Sequence, residues 1–130
     1  MVEDILVTLG SSDPKLRQGT PAKAGPVVTD NGNLIIDAPF PSLLIPSDLN
    51  DSIKGNGENG IWEVHMLAER LLRIVGVIEV GLFHGLNSIQ ALKSGAVGQG
   101  QKPVAAYFGM ENGEVEVRLA KEIEGMKSSP

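Results

Sequence analysis

The stretch GPVVTDNGNLIID, residues 25–37, decides the fold of this chain. It places Asn31-Gly32 between two β-prone runs, Val27-Val28-Thr29 and Leu34-Ile35-Ile36. Asn-Gly in that setting is a strong hairpin signal, because both residues tolerate the positive φ that a type I′ turn requires. The stretch therefore predicts two antiparallel strands joined by a tight turn at residues 30–33.

A second hairpin follows near the end of the chain. Its predicted strands are residues 104–108 and 114–119, and Glu111-Asn112-Gly113 forms the turn between them. In the last strand apolar and charged residues alternate, the apolar ones being Val115, Val117 and Leu119. That period of two predicts a strand with one face in water.

Two segments have the spacing of amphipathic helices. Val2, Ile5, Leu6 and Leu9 form a helical stripe that stops at Gly10. No capping residue precedes this stripe, so we expect it to be the end of a longer helix.

Residues 61–75 predict a longer helix that Gly76 caps at its carboxyl end. Trp62 and Met66 fall among its charged residues, and we expect them to contact a partner outside this core. The apolar face consists of Ile61, Val64, Leu67, Ala68, Leu71, Leu72, Ile74 and Val75.

The remaining segments are a predicted strand at residues 77–83 and two loops rich in Gly, Pro and polar residues. The loops span residues 38–60 and 87–102; we interpret residues 46–60 and 87–102 as insertions, and expect the first loop to be partly mobile. Residues 121–130 form a polar tail. The order predicts an α+β fold, in which two hairpins and one strand form an antiparallel sheet against a packed helix.

Composition excludes several classes of function. The net charge is −5 and the cations are scattered, which disfavours nucleic acid and anionic membranes as partners. There are no cysteines, so disulfides, thiolate metal sites and a cysteine nucleophile are excluded. The lack of cysteine fits a reducing compartment. No apolar run approaches the ~20 residues of a membrane span.

Residues 55–60 read GNGENG, which matches the G-x-G-x-x-G pattern of dinucleotide-binding loops. A predicted helix follows, and Glu79 lies at a distance suited to a ribose contact. The fingerprint also needs a strand directly before the first glycine, and residues 46–54 do not have the pattern of one. We therefore favour a flexible loop over a dinucleotide site, and we predict no cofactor.

His65 and His84 are the two histidines of the chain. A zinc site needs three or four protein ligands, and no third ligand is evident, so no metal site is assigned. One histidine would suffice for a general base, but neither is tied by spacing to a serine or a carboxylate. Hydrogen-bonded, partly buried histidines are the favoured interpretation.

The charged residues near the first hairpin offer two weak candidate sites. Asp30 and Asp37 lie at opposite ends of a predicted strand, roughly 20 Å apart at 3.3 Å per residue, so they do not form a carboxylate pair. Asp30 instead braces its turn. The basic run of Lys15, Arg17 and Lys23 would steer an anionic sugar phosphate, although solvated side chains are favoured.

Three blocks resemble the carboxy-terminal half of eukaryotic and fungal type A ribose-5-phosphate isomerases. They are residues 16–37 with TDNGN, residues 75–83 (VGVIEVGLF) and residues 106–109 (AYFG), and they occur in the family's order. The resemblance covers about residues 5–117. It implies a cytoplasmic enzyme of the pentose phosphate pathway, which interconverts ribose 5-phosphate and ribulose 5-phosphate through an enediol.

The resemblance places the chemistry outside this sequence. That reaction needs a carboxylate, a donor to the enediolate and a phosphate-binding loop. In the family these lie in an amino-terminal half, in motifs of the type GSGST, DGADE and KGGG, none of which occurs here. No catalytic, cofactor-binding or metal residue is therefore assigned, and we expect the chain alone to be inactive.

The resemblance also implies an architecture and partners. The matching region is a small, ferredoxin-like α+β subdomain, part of which would lie upstream of Met1. Its partners would be the missing catalytic half or further copies in a homo-oligomer, and exposed apolar faces carry a risk of aggregation. The alternatives are a stand-alone small-molecule-binding or protein-interaction module, and an unrelated enzyme that uses His65 or His84.

Overall fold

The computed structural model describes residues 1–96 and 98–120, and it has an α+β composition. Two compact units can be separated, Met1–Val80 and the residues from Gly81 onward. The strands of these described residues form three separate two-stranded sheets, not the single antiparallel sheet that the sequence predicted. No helix among the described residues is long and apolar enough to cross a membrane.

In the first unit, helix α1 spans Val2–Thr8, as the apolar stripe predicted. Leu6 and Leu9 are buried, and these two leucines belong to the small core of the unit. The helix stops because Gly10 takes φ +107°, a conformation that L side chains rarely adopt.

The first hairpin has its turn where predicted, but the turn is of a different type. The Thr29 N–H donates to the Asn33 carbonyl at 2.9 Å, and the Gly32 N–H donates to the Thr29 carbonyl at 2.8 Å. Gly32 has φ +79°, whereas Asn31 keeps a negative φ. The loop therefore has three residues and ends in a left-handed glycine, so the type I′ prediction was wrong.

Regular pairing in this region involves a segment that the sequence did not assign to a strand. Strand β1, Lys15–Leu16, pairs antiparallel with β2, Ile36–Asp37. Arg17 donates its N–H to the Ile35 carbonyl and accepts from the Val27 N–H. The segment thus lies between the two predicted strands, which pair with each other only through the bridge of Val28 and Leu34.

Helix α2 spans Val64–Leu72, which is shorter than predicted at both ends. Its C-cap is Arg73, and Gly76 (φ +95°) lies in a separate turn in which the Val77 N–H donates to the Ile74 carbonyl. Of the predicted apolar face, Leu67, Ala68 and Ile74 are buried, whereas Ile61, Leu72 and Val75 are exposed.

The strand predicted at residues 77–83 is not formed. The segment has no regular secondary structure, and Ile78 and Phe83 are more than 70% exposed. A strand needs a neighbour to accept and donate its backbone hydrogen bonds. Within the described residues no strand pairs with this segment.

Residues 87–102 are not the loop that was predicted. Helix α3 spans Ser88–Ser94, between strands β3 (Leu86–Asn87) and β4 (Gly100–Lys102), which pair in parallel. Asn87 Oδ1 accepts from the Gln90 N–H at 2.8 Å, and Gln90 Oε1 accepts from the Asn87 N–H at 3.0 Å. This reciprocal capping box starts the helix.

The second hairpin is confirmed. Strand β5, Ala105–Gly109, pairs antiparallel with β6, Val115–Leu119, and Tyr107 faces Val117. Its turn repeats the geometry of the first, since Gly113 has φ +84° and donates its N–H to the Met110 carbonyl at 2.9 Å. The polar tail predicted at residues 121–130 lies outside the described residues.

Candidate functional site

Trp62 is buried in the first unit, contrary to the prediction that it faces outward. Its indole Nε1 donates to the Leu9 carbonyl at 2.7 Å, which satisfies a carbonyl at the carboxyl end of α1. Only 8% of the residue is exposed. The helical projection failed because Trp62 precedes α2 instead of lying on its surface.

Three glycines allow the chain to close around this tryptophan. A Cβ on Gly57 would lie 2.2 Å from the Trp62 ring, and a Cβ on Gly10 would lie 2.7 Å from the Gly60 Cα. Such distances are impossible for real side chains, so these positions require glycine. We call this cluster, Leu9, Gly10, Gly57, Gly60 and Trp62, the Trp62 knot.

Glu63 caps the amino end of α2. Its Oε2 accepts from the backbone N–H groups of His65 at 3.0 Å and of Met66 at 3.1 Å. Glu63 is 4% exposed, and its Oε1 is buried with no hydrogen-bond partner among the described residues. The carboxylate also offsets the positive end of the helix dipole.

The G-x-G-x-x-G match is therefore a packing motif. A dinucleotide would need the free N–H groups at the start of the following helix for its pyrophosphate, and Glu63 already occupies those of α2. Gly55 lies against Glu63 itself, since a Cβ there would be 2.8 Å from the Glu63 Cβ. Glu79 accepts a hydrogen bond from the Val80 N–H at 3.3 Å.

Backbone hydrogen bonds tie the loop before α2 to the start of that helix. The Leu44 N–H donates to the Trp62 carbonyl at 2.9 Å, and the Val64 N–H donates to the Leu44 carbonyl at 3.0 Å. Short 3₁₀ turns form at Pro46–Asp48 and Glu58–Gly60. Residues 55–60, which we interpreted as a flexible loop, pack through their glycines against Gly10, Trp62 and Glu63.

A shallow groove lies beside the knot, along the outer face of α2. Its volume is about 460 Å³. Glu69 and Arg73 lie one helical turn apart, with 4.0 Å between Oε2 and Nη2. The groove is lined by Asn56, Trp62, His65, Met66, Glu69, Arg70 and Arg73.

The two histidines lie in separate places. His65 is exposed on α2 and lines the groove, whereas His84 is half-buried and follows the segment at residues 77–83. Both have interactions with neighbouring groups. In the described part of the chain, no cluster of three or more His, Asp or Glu side chains has the geometry to hold a metal ion.

The charged residues of the first hairpin form an ion pair. Arg17 Nε donates to Asp37 Oδ2 at 2.8 Å, and its Nη2 donates to Oδ1 at 2.5 Å. These hydrogen bonds lower the pKa of Asp37 and raise that of Arg17. Asp37 therefore braces the base of the hairpin through Arg17, and it does not act as one half of a pair with Asp30.

The basic run predicted at Lys15, Arg17 and Lys23 is largely neutralised. Lys15 Nζ lies 2.6 Å from Asp13 Oδ2, and Arg17 is paired with Asp37. Two of the three cations are thus engaged by carboxylates, which removes the reason to regard the run as a steering patch for an anion.

Sequence reasoning missed the Trp62 knot and the Glu63 cap. The sequence contained a usable signal for the cap. Glu63 occupies the N-cap position, since it directly precedes the apolar period that starts at Val64. Glutamate is not among the preferred N-cap residues, so the signal was weak. The pairing of Gly10 with Gly60 spans 50 positions and has no local signature.

Comparison with known proteins gives a consistent family. The family model described as "Ribose 5-phosphate isomerase A (phosphoriboisomerase A)" matches residues 1–95. A ribose-5-phosphate isomerase from Schizosaccharomyces pombe is 41% identical over 115 residues, which cover 88% of this chain and 30% of the relative. One from Candida albicans is 33% identical over 117 residues, covering 90% of this chain and 35% of the relative.

A ribose-5-phosphate isomerase from Saccharomyces cerevisiae gives the same proportions. It is 37% identical over 114 residues, which cover 88% of this chain and 31% of the relative. The chain thus spans about a third of the length of the curated relatives that it matches.

Proposed function

This chain belongs to the ribose 5-phosphate isomerase A family, and on that premise we propose that it serves as the non-catalytic, carboxy-terminal part of an aldose–ketose isomerase. The reaction would be the interconversion of ribose 5-phosphate and ribulose 5-phosphate in the pentose phosphate pathway. The observation that carries the proposal is the extent of the match, which covers most of this chain but only 30% of the S. pombe relative.

The roles of two carboxylates, Glu63 and Asp37, support a structural part. Proton transfer between two carbons requires a carboxylate that can reach the substrate. Glu63 is buried and caps a helix, and Asp37 is held by Arg17. Both carboxylates stabilise local structure, so neither is presented to a substrate.

Exposed apolar side chains support a partner. In the β5–β6 hairpin these are Tyr107, Phe108, Val115 and Val117, of which Tyr107 is 72% exposed. Tyr107, Val115 and Val117 share one face of the hairpin, and exposed apolar surface of this kind marks an interaction site. We infer that the catalytic part of the enzyme, or a second subunit of a homo-oligomer, covers it.

The segment at residues 77–83 supports a ferredoxin-like subdomain as the finer architecture. It combines β-branched residues with high exposure, as Ile78 does at 71%. In the assembled enzyme we infer that a neighbouring strand pairs with it and joins the small sheets into one. The cytoplasm is the location that a sugar-phosphate isomerase of this family implies.

A protein-interaction module is the second candidate function. The same exposed side chains of the hairpin favour it, because they would suit any apolar partner and not only the rest of an isomerase. The two functions differ in what restores activity. An interaction module would not replace the corresponding region of an isomerase.

A chimera tests the proposal. The segment of the S. pombe isomerase that aligns with this chain is replaced by residues 1–117, and formation of ribulose 5-phosphate is followed. We expect the chimera to turn over, and to keep its activity when His65 and His84 are both replaced by alanine. A folded chimera without activity would contradict the proposal and favour the interaction module.

A further inference from the structure

The groove along α2 combines two guanidinium groups with a concave surface. Arg70 and Arg73 are three residues apart, so they lie next to each other on the helix. Both line the groove, together with the His65 ring and the Asn56 side chain. The helix and the glycine loop thus both contribute hydrogen-bonding side chains to this groove.

The charge of the groove is opposite to that of the whole chain. The chain carries a net charge of −5, whereas the groove lining holds two arginines against one carboxylate, Glu69. Glu69 approaches Arg73 only to 4.0 Å, too far for a strong hydrogen bond. Arg70 has no ion pair among the described residues.

This set of donors matches the chemistry of a phosphate group. A guanidinium presents a planar fork of N–H groups that binds two oxygens of a phosphate at once. A dianionic phosphate can bridge two neighbouring guanidiniums, whereas a single carboxylate such as Glu69 leaves one of them unpaired.

The Trp62 knot gives the groove a fixed wall. Trp62 is held by its hydrogen bond to Leu9 and by the close approach of Gly57. The Glu63 cap fixes the first turn of α2, from which His65 and Met66 project. A wall that is set before binding lowers the entropic cost of ordering a small ligand.

We propose that Arg70 and Arg73 form an anion site that binds a phosphate group, either free phosphate or a small phosphomonoester. The proposed function assigns no role to these two arginines, so the site goes beyond it. It acts as a binding site only, and no chemical step takes place there. Its ligand is defined by the phosphate group, and the carbon part of an ester would rest against Met66 and the edge of Trp62.

The 130-residue chain can test this site through chemical-shift titration, because it contains a single tryptophan. Inorganic phosphate and glycerol phosphate are added in separate titrations at constant ionic strength. We expect saturable shifts of the Trp62 indole N–H and the Asn56 amide, and none at the Gly113 amide in the turn of the second hairpin. Tighter binding of the ester would identify a phosphomonoester as the ligand; equal binding would identify free phosphate.

Paired variants make the test specific. Arg70→Gln and Arg73→Gln should each weaken binding about tenfold or more, since each removes a charge-assisted contact. Arg118→Gln, which removes an exposed arginine of the hairpin, is the matched control and should leave binding unchanged. An unchanged Trp62 indole signal before ligand is added shows that each variant keeps the fold.

Two results would overturn the site. One is the absence of saturable shifts at Trp62 and Asn56 in either titration. The other is binding that Arg70→Gln, Arg73→Gln and Arg118→Gln weaken equally, which would indicate attraction to total charge instead of a built groove. Isomerase activity enters neither readout, so failure here is distinct from failure of the proposed function.

Discussion

The Trp62 knot and the β5–β6 hairpin are stabilised in different ways. The knot joins positions that are far apart in sequence, and its aromatic ring is buried against glycines and a backbone carbonyl. The hairpin pairs neighbours in sequence, and its aromatic side chain Tyr107 is 72% exposed. Because the knot depends on close packing between distant positions, we expect a single added methyl group to lower its stability. The hairpin depends on local backbone pairing, so we expect side-chain substitutions there to change stability little.

The largest expected effect is that of Gly57→Ala in the knot. The new Cβ meets the Trp62 ring at 2.2 Å, and φ is +93°. We expect a loss of about 2–5 kcal/mol, the sum of left-handed strain and overpacking. Urea unfolding followed by Trp62 fluorescence measures it.

Gly32→Ala separates the two causes. Gly32 has φ +79°, but among the described residues a methyl group added there would meet no atom within 4 Å. Only the strain of about 1–2 kcal/mol should therefore appear. Equal losses for the two variants would mean that the close approach of Gly57 to Trp62 does not stabilise the knot.

Trp62→Phe comes next in size. It removes the indole donor, so the Leu9 carbonyl loses a 2.7 Å hydrogen bond, and it leaves a small cavity. We expect a loss of about 2–3 kcal/mol, measured by far-ultraviolet circular dichroism during urea unfolding. Tyr107→Phe is the matched control in the hairpin and should change stability little. A comparable loss for this variant would contradict the claim that the two regions are stabilised differently.

Val117→Thr probes the hairpin itself. Val117 is 46% exposed, and threonine keeps its β-branched shape and strand propensity. We expect a change within about 0.5 kcal/mol in thermal unfolding. A loss as large as that of Trp62→Phe would show that the hairpin is buried in solution. The hairpin would then be stabilised in the same way as the knot.

The smallest effect is expected from pH, through the exposed ion pair of Arg17 and Asp37. Its hydrogen bonds lower the pKa of Asp37 in the folded state, so its stabilisation is complete above the ordinary aspartate pKa and is lost as pH falls through the folded value. The raised pKa of Arg17 lies above any working pH and adds no dependence. The free energy of unfolding, measured with urea at a series of pH values, should therefore fall less steeply on the acid side in Asp37→Asn than in the unchanged chain. An equally steep fall in the variant would contradict the assignment.

The contrast also explains what could be predicted from the sequence. Both hairpin turns were located because Asn31-Gly32 and Asn112-Gly113 carry the turn chemistry within a few residues. The turn type was missed because a left-handed glycine alone suffices when the loop has three residues. Helix α3 was missed because its capping box, Asn87 and Gln90, lies in a polar, glycine-rich stretch.

Features that rest on distant contacts were harder to predict. Trp62 was assigned to the surface since the helix was taken to begin at Ile61, whereas the cap at Glu63 moves the start to Val64. Residues 77–83 have the composition of a strand, but a strand also requires a partner, which propensity does not supply. The family resemblance rests on short sequence blocks, so it does not depend on these predicted elements. The comparisons confirm the family.

The central claim is that this chain supplies structure and not chemistry to an isomerase. The most direct test is formation of ribulose 5-phosphate from ribose 5-phosphate by the purified 130-residue chain, alone and with His65 and His84 replaced by alanine. We expect no turnover above background for either protein. Clear turnover by the chain alone would contradict it, and loss of that turnover in the double variant would place the chemistry at the histidines.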